Sequence, residues 1–264
     1  MIHGVSCTEA ALWDEVVHDL DGHPLQLWGW GELKSAHDWR AHRVLVIDDD
    51  QQVIGAAQIL VQTVPFPFRR LSYIPRGPVW LEGYDEAVLE ALAHYVKQHL
   101  PGVAITVEPD DEAVLFGDPW QRAVSTTLNP DTIILDLSKS ERSLEQAMSK
   151  KAQQYLKETV PEGFVIKTIK KPEALAPFLK IYRDTAGAEK YMVHESEYYF
   201  DTQQFLGDSS IIFGAYEHDK PVAFLWLAVS KKTAFELYGG TSQRGRALHA
   251  QYLLKWHAIL KCRG

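Results

Sequence analysis

Apolar positions in this chain recur with helical and strand periods in alternation. Residues 8–20 carry apolar side chains at helical spacing, and "WGWGELKSAH" reads as a second helix. "HRVLVID" and "VIGAAQILVQTV" are apolar runs joined by the acidic turn "DDDQQ", a pattern that predicts a β-hairpin. "RRLSYIPRGPVW" predicts a strand entering a Pro-Arg-Gly-Pro turn. "YDEAVLEALAHYVKQHL" predicts a helix stopped by Pro101 and Gly102, and "VAITVEP" a further strand.

A second pass begins near residue 131. "DTIILDLS" predicts a strand, and Ser138 or Ser140 can cap one long helix through "ERSLEQAMSKKAQQYLKET". "FVIKTI" reads as a strand, followed by helices over "EALAPFLKIYRDTAG" and "SEYYFDTQQFLG". "SIIFGAYE" and "PVAFLWLAVS" then flank the turn "HDK", a hairpin that echoes the first down to the small residue opening its second strand, Gly55 in one and Ala223 in the other. Each hairpin precedes a strand that carries a tyrosine and ends on a glycine turn, "SYIPRG" and "ELYGG", and "RALHAQYLLKWHAI" closes the pass as a helix. The echo implies an internal duplication with a period of roughly 165 residues, the size of a domain rather than of a solenoid repeat. The expected architecture is α/β, with domains at 1–130 and 131–264 packed without a low-complexity linker.

Composition narrows the function. At 264 residues, with 46% hydrophobic and 23% charged residues and no run of 18 uncharged apolar residues, the chain reads as globular without a membrane span. No basic region followed by an apolar stretch opens the sequence, so the cytoplasm is the expected compartment. Cys7 and Cys262 stand far apart without metal-ligand spacing, and the eleven histidines form no HExxH or HxH pair. Reduced thiols and no metal are expected. A net charge of −8 argues against indiscriminate nucleic-acid binding but leaves room for a local basic groove. Lys150, Lys151 and Lys157 could line one, although a solvated helix face is the commoner meaning of such a pattern.

No G-x-S-x-G motif is present, and neither cysteine has a histidine beside it in sequence, so no covalent nucleophile is indicated. "GTSQRGRA" has phosphate-loop spacing, but Arg246 stands where the lysine belongs and Ala247 where magnesium needs a hydroxyl. The same stretch partly resembles the pyrophosphate loop of acyl-CoA-dependent acetyltransferases, with Ser242 where that motif wants Arg or Gln. Tyr191, Tyr198, Tyr199 and Phe200 read as core. "LQLWGWGELK" raises a sharper question, because Trp28 and Trp30 can anchor a helix start while Lys34, on an aromatic floor, suits a phosphate.

"LQLWGWGELK", "YIPRGPVW", "VEP", "YYF", "LYGG" and "YLLKWHAILKCRG" occur in an order and spacing that resembles the FemA/FemB/FemX family of non-ribosomal peptidyltransferases, from about residue 20 onward. The resemblance implies two tandem GNAT-like domains with mixed sheets flanked by helices. It further implies transfer of an amino acid from aminoacyl-tRNA to the stem peptide of a peptidoglycan precursor, either UDP-MurNAc-pentapeptide or lipid II, with no cofactor. Carried over, Lys34 contacts the diphosphate or uridine part of the precursor, its helix held by Trp28 and Trp30, with Trp30 counted among the substrate-binding residues. Tyr73 and Arg76 of "YIPRGPV", and Tyr199 and Tyr238 in the second domain, line the precursor pocket. Glu108 is the candidate to handle the acceptor amine's proton, and Lys150, Lys151 and Lys157 are candidates for tRNA phosphates. Glu195 replaces an expected arginine, which sets a carboxylate where phosphate would be repelled.

In the family the last helix is followed by a further strand. By that standard the second domain is expected to be truncated at Gly264, leaving an open edge at the strand of Tyr238 and an apolar face of Leu253, Leu254, Trp256 and Ile259, with self-association as a consequence. A lipid II acceptor would bring a peripheral membrane contact. Two other readings stay open: an acyl-CoA-dependent N-acyltransferase and a non-catalytic precursor-binding module.

Overall fold

The computed structural model describes residues 1–67, 69–110, 117, 120–129, 131–158, 161–189 and 192–263, the side chains of residues 188 and 189 excepted. In chain order its first half runs β1 (His3–Ser6), α1 (Ala10–Asp19), α2 (Trp28–Ser35), β2 (Arg40–Ile47), β3 (Val53–Thr63), β4 (Arg70–Pro75), β5 (Val79–Trp80), α3 (Asp85–His99) and β6 (Ala104–Glu108). The second half runs α4 (Glu141–Ala147), α5 (Lys150–Lys157), β7 (Phe164–Thr168), α6 (Pro172–Glu189), α7 (Ser196–Leu206), β8 (Ser210–Glu217), β9 (Lys220–Val229), β10 (Ala234–Thr241), α8 (Gln243–Ala247) and α9 (Ala250–Cys262). Two compact units result, dividing at Thr132/Ile133, with Phe205–Ser209 and Val229–Thr233 belonging to the first.

The first sheet has the order β1-β2-β3-β4-β6, with β5 paired to the start of β3. Its strands read as continuous apolar runs because both faces are covered. Val44, Val46, Ile59 and Val61 pack with Val88, Leu92 and Val96 of α3, while Leu45 and Ala56 pack with Trp13 and Val17 of α1. Each fully buried Val, Leu or Ile contributes about 1.5–3 kcal/mol. β4 and β6 run parallel, which brings Pro75 beside Glu108 at their carboxyl ends.

The second sheet has the order β10-β9-β8-β7. The duplication is visible in its hairpin. β2–β3 and β8–β9 both shift register at one place, leaving Ile54 and Val222 as the extra residues beside the Val46–Gly55 and Ala215–Ala223 pairs. β10 takes the place that β4 has in the first sheet and is the outer strand among the described residues.

Several expectations are corrected. "DTIILDLS" forms no strand; residues 131–136 are irregular, and Ile133 and Ile134 are 88% and 84% exposed. The long helix over 141–159 is two helices, because Ser149 turns its side chain onto the Ala152 N–H and caps α5, just as Ser140 caps α4 through the Ser143 N–H. The last helix is broken at His249, whose φ of 53° separates α8 from α9. Leu254 is buried, and Leu253, Trp256 and Ile259 are half-buried, since α9 packs on β8, β10 and α5. Gly264, the expected end of that helix, lies outside the described residues. β1 was not expected from the sequence. No helix among the described residues is long and apolar enough to cross a membrane.

Candidate functional site

The "WGWGELK" segment forms α2, and the reason for its tryptophans lies beneath it. Trp30 is 7% exposed, and its ring supports Lys34, whose Nζ sits 4.7 Å from the ring centroid. Burial pulls the Lys34 ammonium down to about 8. Trp28 serves a different partner. Its ring lies 3.4 Å from the Arg43 guanidinium carbon, and its carbonyl accepts from Arg43 Nη2 at 2.8 Å. Arg43, 6% exposed on β2, also donates to Glu32 Oε1 at 2.9 Å and to Gln58 Oε1 at 3.0 Å. Gln58 Nε2 donates to the carbonyls of Leu25 and Leu27, and the Gln58 N–H donates to Gln26 Oε1. Asp14 Oδ1 accepts from the Trp28 N–H at 2.7 Å, which caps the first turn of α2 from another element. The start of α2 is thus fixed by a buried polar network.

The same network reaches the Pro-Arg-Gly-Pro turn. Gln26 Nε2 donates to the Pro75 carbonyl at 2.6 Å, and the Gln26 side chain fills the space where Gly77 has no Cβ. Between them Arg76 adopts a left-handed φ of 47°. His23, 3% exposed, accepts from the Leu25 N–H through Nδ1, and burial followed by the charge of Arg76 holds it down at about 3, so it stays neutral.

Glu108 and Tyr73 come together at the ends of the parallel pair. The Tyr73 hydroxyl donates to Glu108 Oε2 at 2.5 Å, and the backbone N–H groups of Thr127 and Leu128 donate to Oε1 and Oε2 at 2.5 and 3.1 Å. Burial, then the bond to Glu108, pushes the Tyr73 hydroxyl well above its usual range, so it remains a donor. Arg76 grips the same segment, donating from Nη2 to the Asn129 carbonyl at 3.1 Å, while its Nη1 lies 3.7 Å from Asp110. The buried Arg76 Nε has no acceptor among the described residues. Trp39, whose N–H bonds to the Lys34 carbonyl, packs its ring 6.4 Å from Tyr73. Lys34, Trp30, Tyr73, Arg76 and Glu108 therefore share one connected framework in the first unit.

In the second unit Tyr199 and Tyr238 meet edge to face at 5.1 Å within a cluster that includes Tyr182, Tyr198 and Trp226. Burial raises the Tyr238 hydroxyl far above its ordinary range, followed by its interaction with Tyr198. Tyr198 and Tyr199 are buried and Phe200 half-buried; Tyr191 lies outside the described residues. Glu195 is exposed. Lys150, Lys151 and Lys157 all lie exposed on α5, where Lys157 pairs with Glu145 at 3.5 Å and Lys151 approaches the Tyr155 ring at 5.7 Å.

In the stretch after β10 the Ser242, Gly245 and Arg246 N–H groups already have acceptors within the protein. Ser242 Oγ accepts from the Gly245 N–H at 3.0 Å, the Ser242 carbonyl accepts from the Arg246 N–H at 2.9 Å, and Arg244 pairs with Glu217. A Cβ on Gly245 would strike the Val222 carbonyl, so this glycine allows a close backbone approach. Acetyl-CoA is accordingly expected to leave the melting temperature unchanged in a thermal-shift measurement; a clear rise would restore the acyl-CoA reading.

Sequence reasoning missed Arg43, Gln58, Gln26 and Trp39. The available signal was a lone Arg and a lone Gln inside apolar strand runs, since a buried polar side chain needs partners.

A sequence model described as the FemAB family matches residues 16–119 and 118–220. The chain is 25% identical over 224 residues to a lipid II:glycine glycyltransferase of Staphylococcus saprophyticus, covering 76% of this chain and 52% of that protein. It is 23% identical over 259 residues to a protein of the same name in Staphylococcus aureus, covering 91% and 58%. The chain thus spans about half the length of these curated relatives. The crystal structure of FemX superposes with a TM-score of 0.82 at 16% identity, over 99% of this chain and 86% of that one, a likeness of fold that agrees with the expected α/β layout of mixed sheets flanked by helices.

Proposed function

The chain belongs to the FemAB family, and on that premise we propose that it is an aminoacyltransferase that adds an amino acid from aminoacyl-tRNA to the stem peptide of a peptidoglycan precursor. The observation that carries this reading is the Glu108 centre: a carboxylate oriented by three donors, next to the segment that the half-buried Arg76 grips, on a framework shared with Lys34. An aminoacyl ester is already activated, so the acceptor's primary amine attacks the ester carbonyl directly. The new C–N bond forms, the C–O bond to the ribose breaks, and the amine's proton passes to the leaving oxygen. The amine must first be neutral, although its ordinary pKa is about 10.4. Glu108 is the base in this proposal. Its two oxygens offer about four lone-pair sites, of which three accept from Tyr73, Thr127 and Leu128, which leaves one for the acceptor amine in this proposal. Tyr73 orients the carboxylate, Arg76 and Lys34 bind the precursor's anionic groups, and Tyr199 and Tyr238 line its pocket in the second unit. Lys150 and Lys151 contact tRNA phosphates, with Lys157 shared between that role and Glu145. The test is direct: incubate the protein with a panel of charged tRNAs and each precursor form, and measure mass added to the stem peptide. Precursor binding without any addition would leave only the binding-module reading.

Lys34→Ala is expected to weaken precursor binding roughly ten- to a hundredfold, the range for a lost charged hydrogen bond, with little change in stability. Unchanged affinity in calorimetry would remove Lys34 from the site. The pH dependence has a defined sign. Burial lowers Lys34 from 10.5 to about 8, so folding disfavours its charged form; that penalty is complete below pH 8 and disappears above 10.5. The cation that binds phosphate is likewise lost as pH rises through about 8. Affinity should therefore fall between neutral pH and pH ~9 in the wild type, and stay flat in Lys34→Arg, whose guanidinium remains charged.

A further inference from the structure

The β3–β4 hairpin projects a tip with an unusual surface. Residues 51–81 contain no Asp or Glu in a chain that has 35 of them. At the tip Pro65, Phe66 and Pro67 are exposed, Phe66 at 87%, and the loop is closed by the Val64 N–H on the Arg69 carbonyl. The ladder register sets Arg40, His42 and Arg70 on one face of the sheet, through Arg40 opposite Val61, His42 opposite Ile59 and Thr63 opposite Arg70. Burial, then the positive charges of Arg70, Arg40 and Arg43, hold the His42 imidazole below its ordinary range. Among the described residues none of Arg40, Arg69 and Arg70 pairs with a carboxylate.

We propose that this hairpin tip is a membrane-surface anchor, with Phe66 entering the interface of an anionic bilayer while Arg40, Arg69 and Arg70 meet its phosphate headgroups. Three features favour a bilayer over a nucleic acid. Both neighbours of Phe66 are prolines, which carry no N–H, so the tip has few backbone donors to desolvate on insertion. Phenylalanine has no polar atom to satisfy at the acyl boundary. Arginine side chains can lie along the apolar tip and keep their charge at headgroup level. With no spanning helix among the described residues, the contact is peripheral. It deepens the acceptor reading, because it would hold the first unit at the surface where a lipid-linked precursor resides, but it does not depend on that reading.

The experiment is co-sedimentation of the full chain with vesicles of phosphatidylglycerol and phosphatidylcholine, and with vesicles of phosphatidylcholine alone, neither containing precursor. The wild type should bind the anionic vesicles, less so at high salt, and bind phosphatidylcholine weakly. Phe66→Ser should lower the partition roughly tenfold or more, as expected for losing a buried aromatic side chain. Arg69→Ala combined with Arg70→Ala should lower it roughly thirtyfold, from the attraction of each cation near an anionic surface. Circular dichroism should show both variants folded, as the positions are at the surface. Absence of binding to anionic vesicles, or equal binding by both variants, would overturn the proposal. So would capture of an RNA oligonucleotide through these residues while the vesicles are ignored. Failure of amino-acid transfer would leave these results untouched.

Discussion

Glu108→Gln is expected to slow amino-acid transfer about a hundredfold or more while leaving precursor affinity nearly unchanged, the signature of a lost general base. The complication is that Glu108 has a second task. Its carboxylate holds the Thr127 and Leu128 N–H groups, and Gln offers one oxygen where Glu offers two. Loosening that segment alone would also slow the enzyme, so a rate loss by itself does not identify a base. Two readouts separate the roles. A base leaves an acidic limb in the pH dependence of turnover, and that limb should vanish in Glu108→Gln. A mere clamp would leave the limb in place and raise the KM, because the Arg76 that grips Asn129 would move with the segment. Tyr73→Phe provides the counterpart. It removes one donor from the carboxylate and keeps both the base and the ring against Trp39, so the limb should persist. Turnover of Glu108→Gln equal to the wild type would make Glu108 a purely structural acid.

The sequence carried the elements better than their joints. Both hairpins, α3 and the helix of Trp28 and Trp30 follow from local period and turn residues, which act over a few positions. The failures needed information from farther away. "TIILDL" has strand composition, but a strand exists only where a partner lies beside it, and the structure pairs this segment with none among the described residues. β1 is four residues long with no pattern of its own and is a strand only because β2 lies alongside. Ser149 and His249 mark local breaks that an apolar count passes over. The site divides in the same way. Lys34, Tyr73, Arg76 and Glu108 were named from family motifs, whereas Arg43, Gln26 and Gln58 are bound to partners 11 to 49 positions away, beyond the reach of any periodicity.

Arg43 decides whether that hidden network matters. Arg43→Ala should lower unfolding free energy by about 3 kcal/mol, the low end for breaking a buried charge network. The low end applies because Glu32 is 40% exposed, so water can solvate its carboxylate once the guanidinium is gone. What water cannot easily reach is Gln58 Oε1, left without its Arg43 donor beneath α2, and such a buried group costs about 1–3 kcal/mol, while the Trp28 carbonyl at the start of α2 loses its side-chain donor. Arg43→Lys keeps the charge but can no longer fork between Trp28, Glu32 and Gln58, so it should fall between the two. Gly31→Ala attacks the same place from above, because a Cβ there would run into Gln58 Oε1 and Arg43 Nη2, atoms that their own hydrogen bonds hold still. The functional consequence separates this network from the site it supports. Lys34→Ala should lower precursor affinity alone, whereas Arg43→Ala should lower stability and affinity together, since it releases the helix that carries Lys34. Urea unfolding and calorimetry on the same three variants and on Lys34→Ala would read both quantities. A loss below about 1 kcal/mol in Arg43→Ala would mean that α2 is held by its buried tryptophan and leucine alone, with the polar network as a passenger.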